Sequence, residues 1–174
     1  MTDPTAAPLI LTLALDAPTF ARFDALRRRH FPPERNLVPA HVTLFHHLPG
    51  EEEAGIVEAI AALARAEPVP EVFATGLRFT GRGVAYVLAS EPLAAFRARL
   101  AGLFRDRLTE QDRQGWHPHV TIQNKVAPET ARALHEALSA EFAPFRFVAP
   151  GLLLWRYLGG PWEERARFSF GENS

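Results

Sequence analysis

The tripeptide His-Val-Thr occurs twice in this chain, at His41–Thr43 and at His119–Thr121. Each copy sits in a stretch where apolar and polar residues alternate. On a β-strand, residues at i, i+2 and i+4 share a face. In WHPHVTIQNKV, from Trp116 to Val126, that rule puts His117, His119, Thr121, Gln123 and Lys125 on one side. Val120 and Ile122 fall on the other. In HVTLFHH, His41, Thr43, Phe45 and His47 share a face, opposed by Val42 and Leu44. Two half-buried strands with the same polar face constrain the fold strongly, because each needs a core behind it and an open surface in front.

Order along the chain repeats around those strands. Leu9 to Leu15 reads as a strand, and Ala17 to His30 as a helix with Phe20, Phe23, Ala25 and Leu26 at helical spacing. Arg27, Arg28 and Arg29 fall in its last turn, where cations suit the helix dipole, and read as a solvated helix end. A Pro-rich loop then leads into the strand Val42–Leu48. Glu51 to Glu67 is a helix closed by Pro68 and Pro70. Val72 to Thr80 and Val84 to Ala89 are strands around Gly81-Arg82-Gly83, a hairpin signal. The pattern then restarts. Pro92 to Leu108 is a helix with Leu93, Phe96, Leu100, Leu103 and Phe104 on its apolar face, and Thr109 to Gly115 a polar loop. His119 to Val126 is the second motif strand, and Pro128 to Phe142 a helix. Strands follow at Phe145–Val148, Leu152–Tyr157 and Arg165–Phe170. Residues 1–7 read as a polar tail.

Each half therefore runs strand, helix, motif strand, helix, strand. The expected fold is α+β: one bilobal domain over residues 1–174, its sequence halves at about 8–80 and 84–157 intertwined. Two pseudo-twofold lobes with mainly antiparallel sheets surround a central cleft. A twofold relation brings the two motif strands together at the centre, with their polar faces across one cleft.

Composition narrows the chemistry. With no cysteine among 174 residues, disulfides, thiolate metal sites and a cysteine nucleophile are excluded. The formal charge of −1 gives no overall field for nucleic acid. The apolar run Pro8–Leu15 is far shorter than the roughly 20 residues of a membrane span. It reads as a first strand, and the expected location is the cytoplasm, without a membrane partner. Lys125 is the single lysine beside 18 arginines, and it falls on the motif face.

Two imidazoles on opposite sides of a small substrate can act as base and acid, because histidine titrates near working pH. A threonine hydroxyl one pleat repeat away, roughly 6.5–7 Å along the strand, donates hydrogen bonds to anionic oxygen. Two such donors and Lys125 describe a small anion site, and the ensemble suits a phosphate diester cleaved by in-line displacement. Phe45 and Trp116 are the candidates to stack a base beside it, ahead of Phe79 and Tyr86.

Two His-x-Thr motifs on a duplicated α+β unit resemble the 2H phosphoesterase superfamily. Its bacterial branch is called 2′-5′ RNA ligase-like and includes the RNA 2′,3′-cyclic phosphodiesterases. The resemblance spans about residues 8–170. It implies a V-shaped cleft and cofactor-free, metal-independent hydrolysis of a 2′,3′-cyclic phosphate to a 2′-phosphate, with some members acting on 2′-5′ linkages. The partner it implies is a nucleotide or RNA ending in a 2′,3′-cyclic phosphate, met by a monomer. By motif match His41 and Thr43 take the first set of catalytic roles, and His119 and Thr121 the second, with His119 as base and His41 as acid. One position departs: Gln123 stands where RNA-processing members commonly carry an arginine, with Lys125 two residues on.

Two other classes compete. A zinc hydrolase would draw ligands from His41, His47, His117 and His119, although no acidic residue adjoins either motif to support them. A nucleotide or RNA binder without turnover keeps the same fold. No GxxxxGK[ST] loop occurs, so nothing points to triphosphate hydrolysis.

Overall fold

The backbone begins with strand β1 (Leu9–Ala14), and Asp16 then caps helix α1 (Ala17–His30) by accepting the Thr19 N–H at 2.9 Å. The chain continues through β2 (Thr43–Leu48), α2 (Glu53–Ala66), β3 (Glu71–Phe79) and β4 (Val84–Ala89). Ser90 caps α3 (Glu91–Leu103), with Pro92 in the first turn, where its missing N–H costs nothing. The four-residue helix α4 (Glu110–Arg113), β5 (His119–Gln123), α5 (Pro128–Glu141), β6 (Phe145–Val148), β7 (Gly151–Tyr157) and β8 (Trp162–Ser169) complete it. This computed structural model describes residue 3 and residues 6–171. Most of the expected tail, residues 1–7, therefore lies outside the described residues.

The strands form two antiparallel four-stranded sheets, ordered β2-β1-β7-β8 and β5-β4-β3-β6. The α+β architecture is as the sequence implies. Each half lends its last strand to the other half's sheet: β3 pairs with β4, and β7 pairs with β1. The motif strands β2 and β5 are each the outer strand of their own sheet.

An outer strand leaves backbone groups unpaired, and buried side chains from the opposite half take them up. Arg27 of α1 donates from Nη1 to the Thr121 carbonyl of β5 at 2.9 Å. Arg97 of α3 donates from Nε to the Leu44 carbonyl of β2 at 3.2 Å. These two arginines are 5% and 7% exposed, so Arg27 does not belong to a solvated helix end as its Arg-Arg-Arg context suggests. Each also lies over a ring, Phe31 at 4.2 Å and Phe45 at 4.5 Å. The loop expected at Thr109–Gly115 contains α4, and its Asp112 is fully buried. Leu103 departs from the expected apolar face of α3 and is 55% exposed.

A single core fills the space behind the motif strands, including Phe23, Phe45, Phe96, Phe104, Val120 and Ile122. Gly83 admits the close approach of β4 to β5, since a Cβ there would lie 1.8 Å from the Gln123 carbonyl oxygen. Among the described residues no helix is long and apolar enough to cross a membrane.

Candidate active site

Regular pairing over β4 and β5 matches Ala85 with Thr121 and Val87 with His119. His119 and Thr121 therefore share a face, while Val120 and Ile122 are buried behind them. Arg78 on β3 pairs with Ala85, so Arg78, Ala85 and Thr121 form one cross-strand row. On the other sheet, Thr43 pairs with Thr12, Thr12 with Leu153 and Leu153 with Arg167.

Between the sheets lies a cavity of about 330 Å³, lined among others by Thr43, His46, Arg78, Trp116, His117 and His119. A second cavity of about 250 Å³ adjoins His41 and is walled by Phe20, Trp155, Trp162 and Leu153, with Thr12 and Arg167. The His41 and Trp162 rings are 4.7 Å apart. Trp116 links the halves directly, its indole Nε1 donating to the Thr43 carbonyl at 2.8 Å.

The two motif histidines are held alike. Nδ1 of His41 lies 2.8 Å from the Pro39 carbonyl, and Nδ1 of His119 lies 2.9 Å from the His117 carbonyl. A carbonyl can only accept, so each Nδ1 carries the proton and each neutral ring keeps its lone pair on Nε2. Burial pushes the His41 imidazole down to about 4, assisted by the positive charges of Arg27, His119 and His46. His119 is also lowered, first by burial and then by Arg78 and the neighbouring histidines. His119 is thus among the charges that disfavour protonated His41.

Several expectations for the polar faces do not hold. Phe45 is 0% exposed, packed against Phe104 and beneath Arg97, and cannot reach a ligand. The cause is a break in register: Leu9 pairs with Leu48 but Leu11 with Phe45 and Thr12 with Thr43. After it, Leu44 and Phe45 are both buried, and His46 and His47 are both exposed. His46, expected to turn away, lines the cavity instead. A second register shift lies between Val84 and Ala85, and Gln123 is 3% exposed rather than on the cleft face. Lys125 lies past the end of β5, exposed in a left-handed turn at φ 63°, and so is not on the strand face. Of the stacking candidates only Trp116 lines the cavities. Tyr86 is buried against Phe23, and Phe79 packs on His135 and Arg132.

Besides the buried Arg97, the cation at this cavity that the motif strands did not reveal is Arg78. Its signal was the alternation of β3 itself, interrupted by a register shift between Ala74 and Gly76. An acid also stands at the first motif after all. Asp112 accepts the backbone N–H groups of His46 and His47 at 2.9 Å, and its carboxylate lies 3.0 Å from His46 Nδ1. Among the described residues no group of three or more His, Cys, Asp or Glu side chains is placed to hold a metal ion. The four histidines of the zinc reading are therefore not gathered into such a group.

Paired His-x-Thr strands at a cleft between two interleaved antiparallel sheets define the architecture of a 2H phosphoesterase. The model of the 2′-5′ RNA ligase superfamily matches residues 15–161, and the chain belongs to that superfamily. No curated protein sequence matches it. Solved structures share its fold at low identity. TT0787 of Thermus thermophilus has a TM-score of 0.62 at 21% identity, covering 95% of this chain and 100% of its own. E. coli LigT complexed with ATP follows at 0.56 and 16%, covering 95% and 98%. Kluyveromyces marxianus Usb1 with uridine monophosphate stands at 0.51 and 16%, covering 96% and 99%.

Proposed function

We propose that the chain is a metal-independent phosphodiesterase that opens a nucleoside or RNA 2′,3′-cyclic phosphate to the 2′-phosphate. The observation that carries this reading is the pair of imidazoles at one cleft, each fixed with its proton on Nδ1 by a carbonyl two residues upstream. Each ring then has Nε2 as its reactive nitrogen, and in the proposed step both turn toward one reacting group. Water attacks phosphorus and gives its proton to Nε2 of one histidine, assigned to His119. The bond from phosphorus to the ribose 3′ oxygen breaks, and that oxygen takes the proton from Nε2 of the other, assigned to His41, which enters the step as the imidazolium. The Thr43 and Thr121 hydroxyls donate to the non-bridging oxygens. With an RNA 5′-hydroxyl attacking phosphorus in place of water and the 3′ oxygen leaving, the same path joins ends through a 2′-5′ bond; its reverse, with the 5′ oxygen leaving, opens that bond.

The aromatic cavity beside His41 supports a nucleotide substrate. At about 250 Å³ it falls just under the roughly 300–1,000 Å³ of sites for drug-sized ligands, the scale of one planar ring system. Trp155 and Trp162 offer faces for stacking, and Trp155 is fixed by donating to Thr12 Oγ1 at 2.9 Å. LigT complexed with 3′-AMP and Usb1 with uridine monophosphate are similar folds with nucleotides bound, which supports the same reading.

The test is turnover of 2′,3′-cyclic AMP and of a short RNA with a 2′,3′-cyclic end, in EDTA. Release of a 2′-phosphate is expected. Absence of product from both substrates, or activity that vanishes with EDTA and returns with a divalent metal, overturns the proposal.

A further inference from the structure

His46 follows Thr43 by three residues and plays no part in the chemistry just described. It is nevertheless the most elaborately held imidazole at the cleft. Asp112, 0% exposed, accepts its backbone N–H with both oxygens, at 2.9 and 3.0 Å, and lies 3.0 Å from its Nδ1. Burial works against the Asp112 carboxylate, but the His46 and His47 hydrogen bonds outweigh it and keep its pKa below the usual value. Arg97 locks the segment from behind, donating from Nη2 to the Asp112 carbonyl at 2.7 Å. A buried carboxylate is costly to keep, and satisfying two strand N–H groups does not account for the bond to the ring. That bond places the proton on Nδ1 and leaves Nε2 of a 42% exposed side chain at the cavity.

Apart from Asp112, the ionisable groups lining that cavity are basic, with the buried Arg97 engaged by the Leu44 and Asp112 carbonyls. Arg78 and His117 line it with His46, while His119 and Thr43 belong to the reacting centre. Its one acid, Asp112, is consumed by His46 and His47. With about 330 Å³, the cavity has room beyond the group being cleaved. An anion arriving there meets Arg78 and the Nε2 edge of a ring whose other nitrogen is held by Asp112.

The geometry points to a second anion subsite, in which His46, positioned by Asp112, and Arg78 bind a phosphate other than the one attacked. The inference rests on the nucleotide reading above and narrows it. The preferred substrate carries a further phosphate, as an oligonucleotide or a 5′-phosphorylated nucleotide does, rather than being a bare nucleoside cyclic phosphate.

Binding separates this inference from turnover. The probes are adenosine 3′,5′-bisphosphate and 3′-AMP, titrated calorimetrically into the full chain as wild type and as His46→Ala, whose exposed side chain leaves the core intact. Wild type is expected to bind the bisphosphate about tenfold tighter or more, as a charge-assisted hydrogen bond supplies. The preference should fall to about twofold in His46→Ala and weaken with added salt in the wild type. Equal affinity for the two ligands in the wild type overturns the subsite, and so does a preference that survives in His46→Ala. If neither ligand binds, the subsite and the nucleotide reading fall together. If the preference is present and His46-dependent but no cyclic phosphate is opened, only the hydrolytic reading falls.

Discussion

His41 and His119 stand in the same relation to the backbone, each with Nδ1 within 2.9 Å of the carbonyl two residues upstream. One local geometry, made twice, gives two rings with one tautomer. The proposed mechanism needs both, because a proton must be taken and another given in one displacement. His41→Ala and His119→Ala are each expected to lower kcat on 2′,3′-cyclic AMP by about 10²–10⁴-fold. The double variant should lose little beyond the worse single one, since the pair acts as a unit. Multiplicative losses in steady-state assays would show two independent contributions instead.

The pair also fixes the pH at which the free enzyme works. Catalysis needs one imidazole protonated and the other not. Burial and neighbouring cations lower both from 6.5, His41 to about 4. Both limbs of the bell for kcat/KM then lie below pH 6.5, and so does the maximum, with the two apparent values belonging to the pair. Above 6.5 the rate should fall about tenfold per pH unit, as the remaining proton is lost. A maximum above pH 7 contradicts this placement of the two rings.

Stability follows the same titration. The His41 ring has a folded pKa of about 4, against 6.5 when unfolded. Between those values the unfolded chain binds more protons, so stability is full above pH 6.5 and is lost as pH falls toward 4. The loss attributable to this ring is on the order of 3 kcal/mol at most. Denaturant titrations at pH 7 and pH 4.5 should show a smaller difference for His41→Gln than for the wild type. Asp112, with its lowered value, titrates below this window. An unchanged difference in His41→Gln would mean that the ring is not desolvated.

Much of this was legible in the chain, and the failures have a common physical origin. Alternation located both motif strands, and the helix and turn signals around them match α1, α3, α5 and the Gly81 turn. Alternation predicts a face only while the register is regular. Shifts beside Leu11 in β1 and between Val84 and Ala85 in β4 buried Phe45 and Gln123 and brought His46 to the cavity. No sequence signal marks those positions. Arg27 and Arg97 are different, because their signal was present. Each follows a buried residue, Phe23 or Leu93, by four positions, on the stripe that faces the core. An arginine in that place reaches a carbonyl of the opposite half, and its charge alone wrongly suggested solvent.

Arg78 offers a sharper separation of binding from electrostatics. It shares a cross-strand row with Thr121, and its charge is among the causes that lower the His119 pKa. Arg78→Ala is expected to raise KM about tenfold through loss of a charged contact to phosphate. It should also move the pH optimum upward, because the charge disfavouring protonated His119 is gone. Arg78→Lys should restore the optimum but recover KM only in part, since an ammonium lacks the fork of a guanidinium. A pH profile indifferent to Arg78→Ala would place that charge away from His119.

The second motif strand depends on a residue without a side chain. At Gly83 a Cβ would meet the Gln123 carbonyl oxygen at 1.8 Å and its carbon at 2.5 Å. Both are backbone atoms of β5, so no rotamer change relieves the clash, and β4 and β5 must separate. Gly81, two residues earlier in the same turn, has the opposite problem: open space around it but a φ of 93°. Gly81→Ala should therefore cost only the backbone conformational penalty, about 1–2 kcal/mol, and leave the site alone. Gly83→Ala should cost about 3 kcal/mol or more, as overpacking against fixed backbone does. It should also lower kcat, because the strand it displaces carries His119 and Thr121. Denaturant midpoints and kcat measured on both variants decide the matter. Equal stability losses with unchanged kcat in Gly83→Ala would mean that β5 is positioned by its contacts with α1 rather than by the close approach of β4.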